Sequence, residues 1–255
     1  MSTNYPCVYP WKTAWIIGGS TGLGAEVTRQ LDQCGVEVIV SARSLEALNS
    51  LVENCKHTTA LPLDITQRPD IQQSMENVLS RFSTLPDLVV INAAIYTPMG
   101  LKDFDTAAIS NMINVNYMGV VNVLEALLPF KNTGKKVTLA AVTSPSGWRG
   151  LPGGIGYAPT KAAVINLFEG LKPELDNTCF DLKIVNPGFI RTRLTAKNKF
   201  NMPQLMEPAD AARKMLKGLT KNTFEIAFPN PFIFMLKVLR IVPYKVYFWA
   251  VKKIV

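Results

Sequence analysis

Short apolar runs alternate along this chain with longer stretches in which apolar positions recur three and four residues apart. Thr13-Ala-Trp-Ile-Ile17, Val36-Glu-Val-Ile-Val40, Thr59-Ala-Leu-Pro-Leu63, Leu88-Val-Val-Ile91, Lys136-Val-Thr-Leu-Ala-Ala-Val142 and Leu182-Lys-Ile-Val185 predict strands. Most are nearly continuous in apolar residues, as expected for a parallel sheet covered by helices on both faces. Helices are predicted near 22–34, 45–54, 69–83, 104–130 and 157–176. This alternation predicts an α/β fold, a doubly wound parallel sheet with right-handed crossovers. No repeat, low-complexity segment or linker divides the chain. Residues 1–228 are expected to form one domain, and 229–255 a C-terminal extension.

Composition agrees with a folded protein: of 255 residues, 48% are hydrophobic and 18% charged. Cys7, Cys34, Cys55 and Cys179 show no regular spacing, which leads us to expect reduced thiols in a cytosol-like compartment. His57 is the only histidine, so a histidine-based triad or His-rich metal site is not expected. The first ten residues lack a basic stretch followed by an apolar one, so no secretory signal is expected. The net charge of +8 is concentrated at one end. Residues 231–255 carry Lys237, Arg240, Lys245, Lys252 and Lys253 and no acid. A basic tail of this kind argues against a general nucleic-acid surface.

The candidate chemistry falls at the ends of the predicted strands. Gly18, Gly22 and Gly24 follow the first strand and open the first helix, where glycines permit a tight turn and close backbone approach to a pyrophosphate. An ordinary glycine-rich loop is the plainer reading. The second strand ends Ser41-Ala42-Arg43-Ser44, without the carboxylate that an NAD-preferring site places on the ribose. Arg43 and Ser44 instead suit a 2′-phosphate, so NADP (NADPH) is expected and NAD less so. Tyr157 and Lys161 lie four apart on one helix face, about 5–6 Å between Cβ atoms, where an ammonium lowers a phenol's pKa. Ser144 stands thirteen residues before the tyrosine. Pro159 is tolerated if the helix begins near Tyr157, while Pro173 is expected to kink or end it.

With these parts in order, the sequence resembles the short-chain dehydrogenase/reductase family, in its compact single-domain branch, from about residue 12 to residue 195. The resemblance rests on Gly18-x-x-x-Gly22-x-Gly24, Asp64 in Leu-Asp-Ile-Thr, Asn92-Ala93-Ala94, Asn114-Val-Asn116-Tyr-Met-Gly119, the Ser144, Tyr157 and Lys161 set, and Pro187-Gly188 with Thr192. It implies a Rossmann fold and a catalytic set of Asn116, Ser144, Tyr157 and Lys161. It also implies cofactor contacts from the glycine turn with Ser20, Thr21 and Leu23, and from Asp64, Ile65, Asn92, Ala93, Pro187, Gly188, Ile190 and Thr192. Asn116 would hold a water relay to Lys161. Ile17 departs from the family's usual threonine, and Ile91 and Ala94 from its Asn-Asn-Ala-Gly pattern. Singly, Asp64 could start a turn, Asn116 could be a satisfied polar residue, and Thr192 could cap a helix.

The expected function is an NADP(H)-dependent oxidoreductase that moves a hydride between the nicotinamide and a carbonyl or secondary alcohol of an apolar small molecule. The alternatives are a non-catalytic dinucleotide-binding regulator or scaffold, and an extended-family epimerase or dehydratase. Leu194, Phe200, Met202, Leu205 and Met206 mark the expected specificity segment, as pocket wall or as lid packing. The resemblance implies a homo-oligomer and a cytoplasmic enzyme. The tail's eighteen apolar and five basic residues predict an amphipathic helix. It would meet a membrane surface peripherally, or else cover the pocket or a subunit interface.

Overall fold

The computed structural model describes residues 8–198 and 200–252. Seven strands form one wholly parallel sheet: β1 (Thr13–Ile17), β2 (Glu37–Ala42), β3 (Thr58–Pro62), β4 (Leu88–Ile91), β5 (Val137–Val142), β6 (Phe180–Pro187) and β7 (Glu225–Phe228). Their order is β3-β2-β1-β4-β5-β6-β7, with the reversal of winding between β1 and β4. Between them run α1 (Gly22–Gln33), α2 (Leu45–Val52), α3 (Arg68–Phe82), α4 (Thr106–Ile113), α5 (Gly119–Leu127), α6 (Tyr157–Leu175) and α7 (Pro208–Leu219). The chain then continues into α8 (Asn230–Ile241) and α9 (Tyr244–Val251). It is a Rossmann-type α/β fold.

Side-chain alternation along each strand divides the core into two layers. Ala14 and Ile16 of β1 face one layer with Val38, Val40, Val27, Leu31 and Leu216, under α1 and α7. Trp15 and Ile17 face the other, with Ile39, Val89, Ile91, Val123, Leu139 and Phe168. The apolar runs are therefore continuous because both faces are covered. The carboxyl ends of the strands bring the glycine turn, Arg43, Asp64, Asn92, Ser144 and Pro187 to one edge.

Several details depart from the sequence reading. β7 and α7 were not anticipated, although Ala211, Ala212, Met215, Leu216 and Leu219 bury one face of α7 at helical spacing. The run 104–130 is helical from Thr106 to Phe130, but its helical type changes along the way. α4 passes into a π-helical turn at Asn114–Met118 before α5, and a 3₁₀ turn closes it at Leu128–Phe130. That run is long and apolar enough to cross a membrane by length and composition. It packs on α3 and α6 instead. Pro173 lies inside α6, where it removes the bond to the Glu169 carbonyl, and the helix ends two residues later at Leu175. The tail is two helices, broken where Val242 is extended ahead of Pro243. Cys34 is disulfide-bonded, against the expectation of reduced thiols, while Cys55 and Cys179 are free. Cys7 lies outside the described residues.

Candidate active site

The glycine turn is built by close backbone approach. Gly18 has φ +84°, and a Cβ there would lie 2.3 Å from the backbone nitrogen of Ala93. Gly22, at φ +59°, opens α1, and a Cβ on Gly24 would lie 2.4 Å from the Gly18 carbonyl oxygen. Only hydrogen fits at Gly18 and Gly24, and the positive φ favours glycine at Gly22. The Gly18 and Gly19 N–H groups donate to the Ser41 carbonyl, at 2.7 and 3.1 Å, which ties the turn to the end of β2. The Asn92 side chain donates to the Gly18 carbonyl at 2.6 Å, so it braces the turn. At the helix entry, Thr21 makes no side-chain cap and the first turn holds no acid. These open N–H groups and the helix dipole fit a pyrophosphate.

A cavity of about 510 Å³ opens from this turn along the strand ends. Gly18, Ser20 to Leu23, Arg43, Ser44, Asp64, Ile65, Asn92, Ala93, Ser144, Tyr157, Lys161, Pro187, Gly188, Ile190 and Thr192 all line it. Gly24 and Asn116 stand behind the wall as packing and bracing groups. The Ser44 hydroxyl accepts from the Ala47 N–H at 3.2 Å, capping α2, while Arg43 extends beside it at the wall. One Asp64 carboxylate oxygen accepts from the N–H and hydroxyl of Thr66 at 2.9 and 2.8 Å, forming the turn that the plainer reading anticipated. Its other oxygen carries no side-chain bond among the described residues. Thr192 belongs to a local threonine turn, its N–H donating to the Thr195 hydroxyl at 3.0 Å.

Ser144, Tyr157 and Lys161 meet in this cavity. Ser144 follows β5, and its hydroxyl oxygen accepts from both the N–H and the hydroxyl of Ser146, at 3.2 and 2.9 Å. Its own proton remains available to a bound molecule. Lys161 is buried and donates to the Val142 carbonyl at 2.9 Å. Its nitrogen lies 5.6 Å from the centre of the Tyr157 ring. Burial lowers the Lys161 pKa from 10.5 to about 8. Tyr157 runs the other way. Burial pushes its pKa above 10, and neighbouring Tyr96 adds to the rise, so the expected lowering by Lys161 is absent in the protein alone.

Asn116, in the π-helical turn, is fully buried. Its oxygen accepts from the Ile95 N–H at 2.8 Å, and its nitrogen donates to the Ile95 carbonyl and the Thr160 hydroxyl at 2.9 and 3.1 Å. Both ends of the side-chain amide are bonded to protein. It locks the segment after β4 against the first turn of α6, which fixes the height of Tyr157.

The sequence reading missed part of the pocket. Tyr96 packs edge-on against Tyr157, with ring centres 5.1 Å apart, and its hydroxyl donates to Asn198 at 2.8 Å. Phe189, Leu151, Phe232 and Leu236 join the wall, with Phe189 between Phe200 and Phe232 at 5.7 and 5.4 Å. Of the expected specificity residues, Leu194 and Phe200 line the cavity. Met202, Leu205 and Met206 do not; Met206 packs on the core and exchanges backbone bonds with Phe189 and Arg191. The spacing of Phe232 and Leu236 on one helix face was the available signal.

A dinucleotide cradle, a tyrosine–lysine–serine cluster and an apolar outer wall in one cavity define a dinucleotide-dependent oxidoreductase. Comparison with known proteins agrees. Residues 12–202 match the short chain dehydrogenase family model. An uncharacterised oxidoreductase of Myxococcus xanthus is 32% identical over 223 residues, 86% of this chain and 88% of its relative. Another from Staphylococcus haemolyticus is 26% identical, over 82% of this chain and 91% of its own. A solved short-chain dehydrogenase from Streptomyces avermitilis superposes with a TM-score of 0.79 at 25% identity, covering 91% and 92% of the two chains. An alcohol dehydrogenase from the archaeon Thermococcus sibiricus, complexed with 5-hydroxy-NADP, gives 0.73 at 26% identity, covering 85% and 95%. The chain belongs to the short-chain dehydrogenase family and is a dehydrogenase/reductase.

Proposed function

We propose that the enzyme is an NADPH-dependent carbonyl reductase for an apolar small molecule. The observation that carries this reading is the Ser144 hydroxyl. Both of its hydrogen bonds from Ser146 are accepted, so its proton is free to donate inside a cavity that also holds Tyr157 and Lys161. Bound at the glycine turn, the nicotinamide cofactor supplies the hydride. Ser144 donates to the carbonyl oxygen as negative charge grows there, and such donors are commonly the larger catalytic effects. Tyr157 gives its proton to the same oxygen as the hydride arrives, and takes it back in the reverse direction. Lys161 supplies positive charge behind the phenol. Asn116 is a positioning residue.

The NADPH preference rests on Arg43 at the wall and on the absence of an acid at the end of β2. Asp64, through its unbonded oxygen, would face the adenine, and the Pro187-Gly188-to-Thr192 segment the carboxamide. Leu151, Phe189, Leu194, Phe200, Phe232 and Leu236 support an apolar substrate. The enzyme would act in the cytoplasm as a homo-oligomer. A panel of carbonyl compounds graded by lipophilicity, followed by NADPH absorbance, tests the reading. Turnover should rise with lipophilicity, and Arg43→Ala should weaken NADPH by about a hundredfold while changing NADH little. NADPH binding without turnover of any compound would favour the scaffold alternative. Equal losses for both nucleotides would remove the NADPH preference.

A further inference from the structure

One face of α8 turns inward: Phe232 and Leu236 enter the pocket wall, and Ile233 and Leu236 are buried. The helix is also apolar on the opposite side. Phe234, Val238 and Ile241 recur at i, i+4 and i+7, and Phe234 and Ile241 are 71% and 80% exposed. α9 buries Tyr247 and Val251 and exposes Val246 and Phe248 on either side of Tyr247. The ordered row on α8, with further exposed apolar side chains on α9, signifies a contact surface rather than scatter.

The charges around this surface identify what it meets. Residues 230–252 contain no acid. Lys237 is paired with Glu225 at 2.7 Å, leaving Arg240, Lys245, Lys252 and Lys253 as further cations of the extension. In a twofold contact the same patch faces itself, so a second copy would set these cations against one another. An anionic lipid surface satisfies both features, taking up the apolar side chains at headgroup depth and the cations among its phosphates. We infer that α8 and α9 dock the enzyme on an anionic membrane surface through Phe234, Val238, Ile241, Val246 and Phe248.

The extension is held to the catalytic domain rather than hanging from it. Arg149, five residues after Ser144, donates to the carbonyls of Leu239, Arg240 and Val242 at 2.6, 3.2 and 2.7 Å. The same guanidinium lies over the rings of Tyr244 and Tyr247, at 4.7 and 3.9 Å from their centres. The Tyr247 hydroxyl donates to the Gly150 carbonyl. A membrane contact on the outer face of α8 would therefore lie directly over the helix whose inner face walls the pocket.

The test is flotation of the full chain with vesicles of about 70:30 phosphatidylcholine and phosphatidylglycerol, against phosphatidylcholine alone. Binding should be about tenfold or more tighter on the anionic vesicles, and high salt should remove the difference. Phe234→Glu/Ile241→Glu, at exposed positions outside the pocket, should weaken it by about tenfold or more. Its turnover of a water-soluble carbonyl compound should be unchanged, which separates docking from catalysis. No vesicle binding, or equal binding by both proteins, would overturn the inference. So would a wild-type dimer that the double variant converts to a monomer without any lipid binding, since that outcome assigns the surface to a second copy.

Discussion

At the scale of single residues, the site is governed by opposed effects of burial on Tyr157 and Lys161. Burial disfavours whichever form is charged, so it raises the phenol and lowers the amine. The amine's shift has a consequence for stability. Lys161 binds its proton more weakly folded than unfolded, so between about pH 8 and its unfolded value of 10.5 the unfolded chain holds more protons. Stability contributed by this group therefore rises with pH through that window, approaching about 3 kcal/mol in full. Tyr157 has the opposite sign and acts only above pH 10. Urea unfolding at several pH values from about 7.5 to 9.5 should show wild type gaining stability relative to Lys161→Met. Parallel curves would contradict the buried amine. Asn116, Ser144, Tyr157 and Lys161 are legible as residue types at fixed spacings. Their protonation is not, because spacing reports proximity on a helix and says nothing of the protein packed around it. Asn116 shows the same limit: its motif marked it, but only packing reveals that both ends of its amide are already engaged.

At the scale of elements, the loop that begins at Ser144 couples the site to the C-terminal helices. Arg149 caps three carbonyls at the end of α8, where a cation also meets the negative end of the helix dipole. Arg149→Met keeps much of the side chain's length but removes these bonds and the cation–ring contacts, a loss of about 2 kcal/mol for the extension. Amide hydrogen exchange in α8 and α9 should accelerate by about thirtyfold, with β1 and β4 unaffected. Unchanged exchange would show that the extension is held by its apolar contacts alone. The strands β1 to β6 were readable from continuous apolar runs. β7 has only Glu-Ile-Ala-Phe at the sheet edge and gave too short a run to separate from a loop. α8 and α9 were readable as amphipathic, but Pro243 makes them two helices with two separate inner faces, and one helical wheel drawn through both obscures that. Leu236, which both fills the core and lines the pocket, is visible only once α8 is set against the strand ends.

At the scale of the whole molecule, the doubly wound sheet collects residues from six strand ends around one cavity, and a C-terminal pair of helices completes its apolar wall. The order of the motifs made this arrangement predictable, since each stands where a strand should end. What closes the outer part of the cavity depends on side chains far apart in sequence, among them Tyr96, Phe189 and Phe232, which no local motif groups together. The disulfide at Cys34 was likewise hidden, because scattered cysteines carry no spacing signal. In the proposed reaction this cavity reduces a carbonyl with Tyr157 as the proton donor. Its most direct test compares wild type with Tyr157→Phe on the best compound of the panel, together with NADPH binding by fluorescence. Turnover should fall by about a thousandfold or more while NADPH affinity stays within about threefold. A phenylalanine variant that retains turnover near the wild-type rate would contradict it.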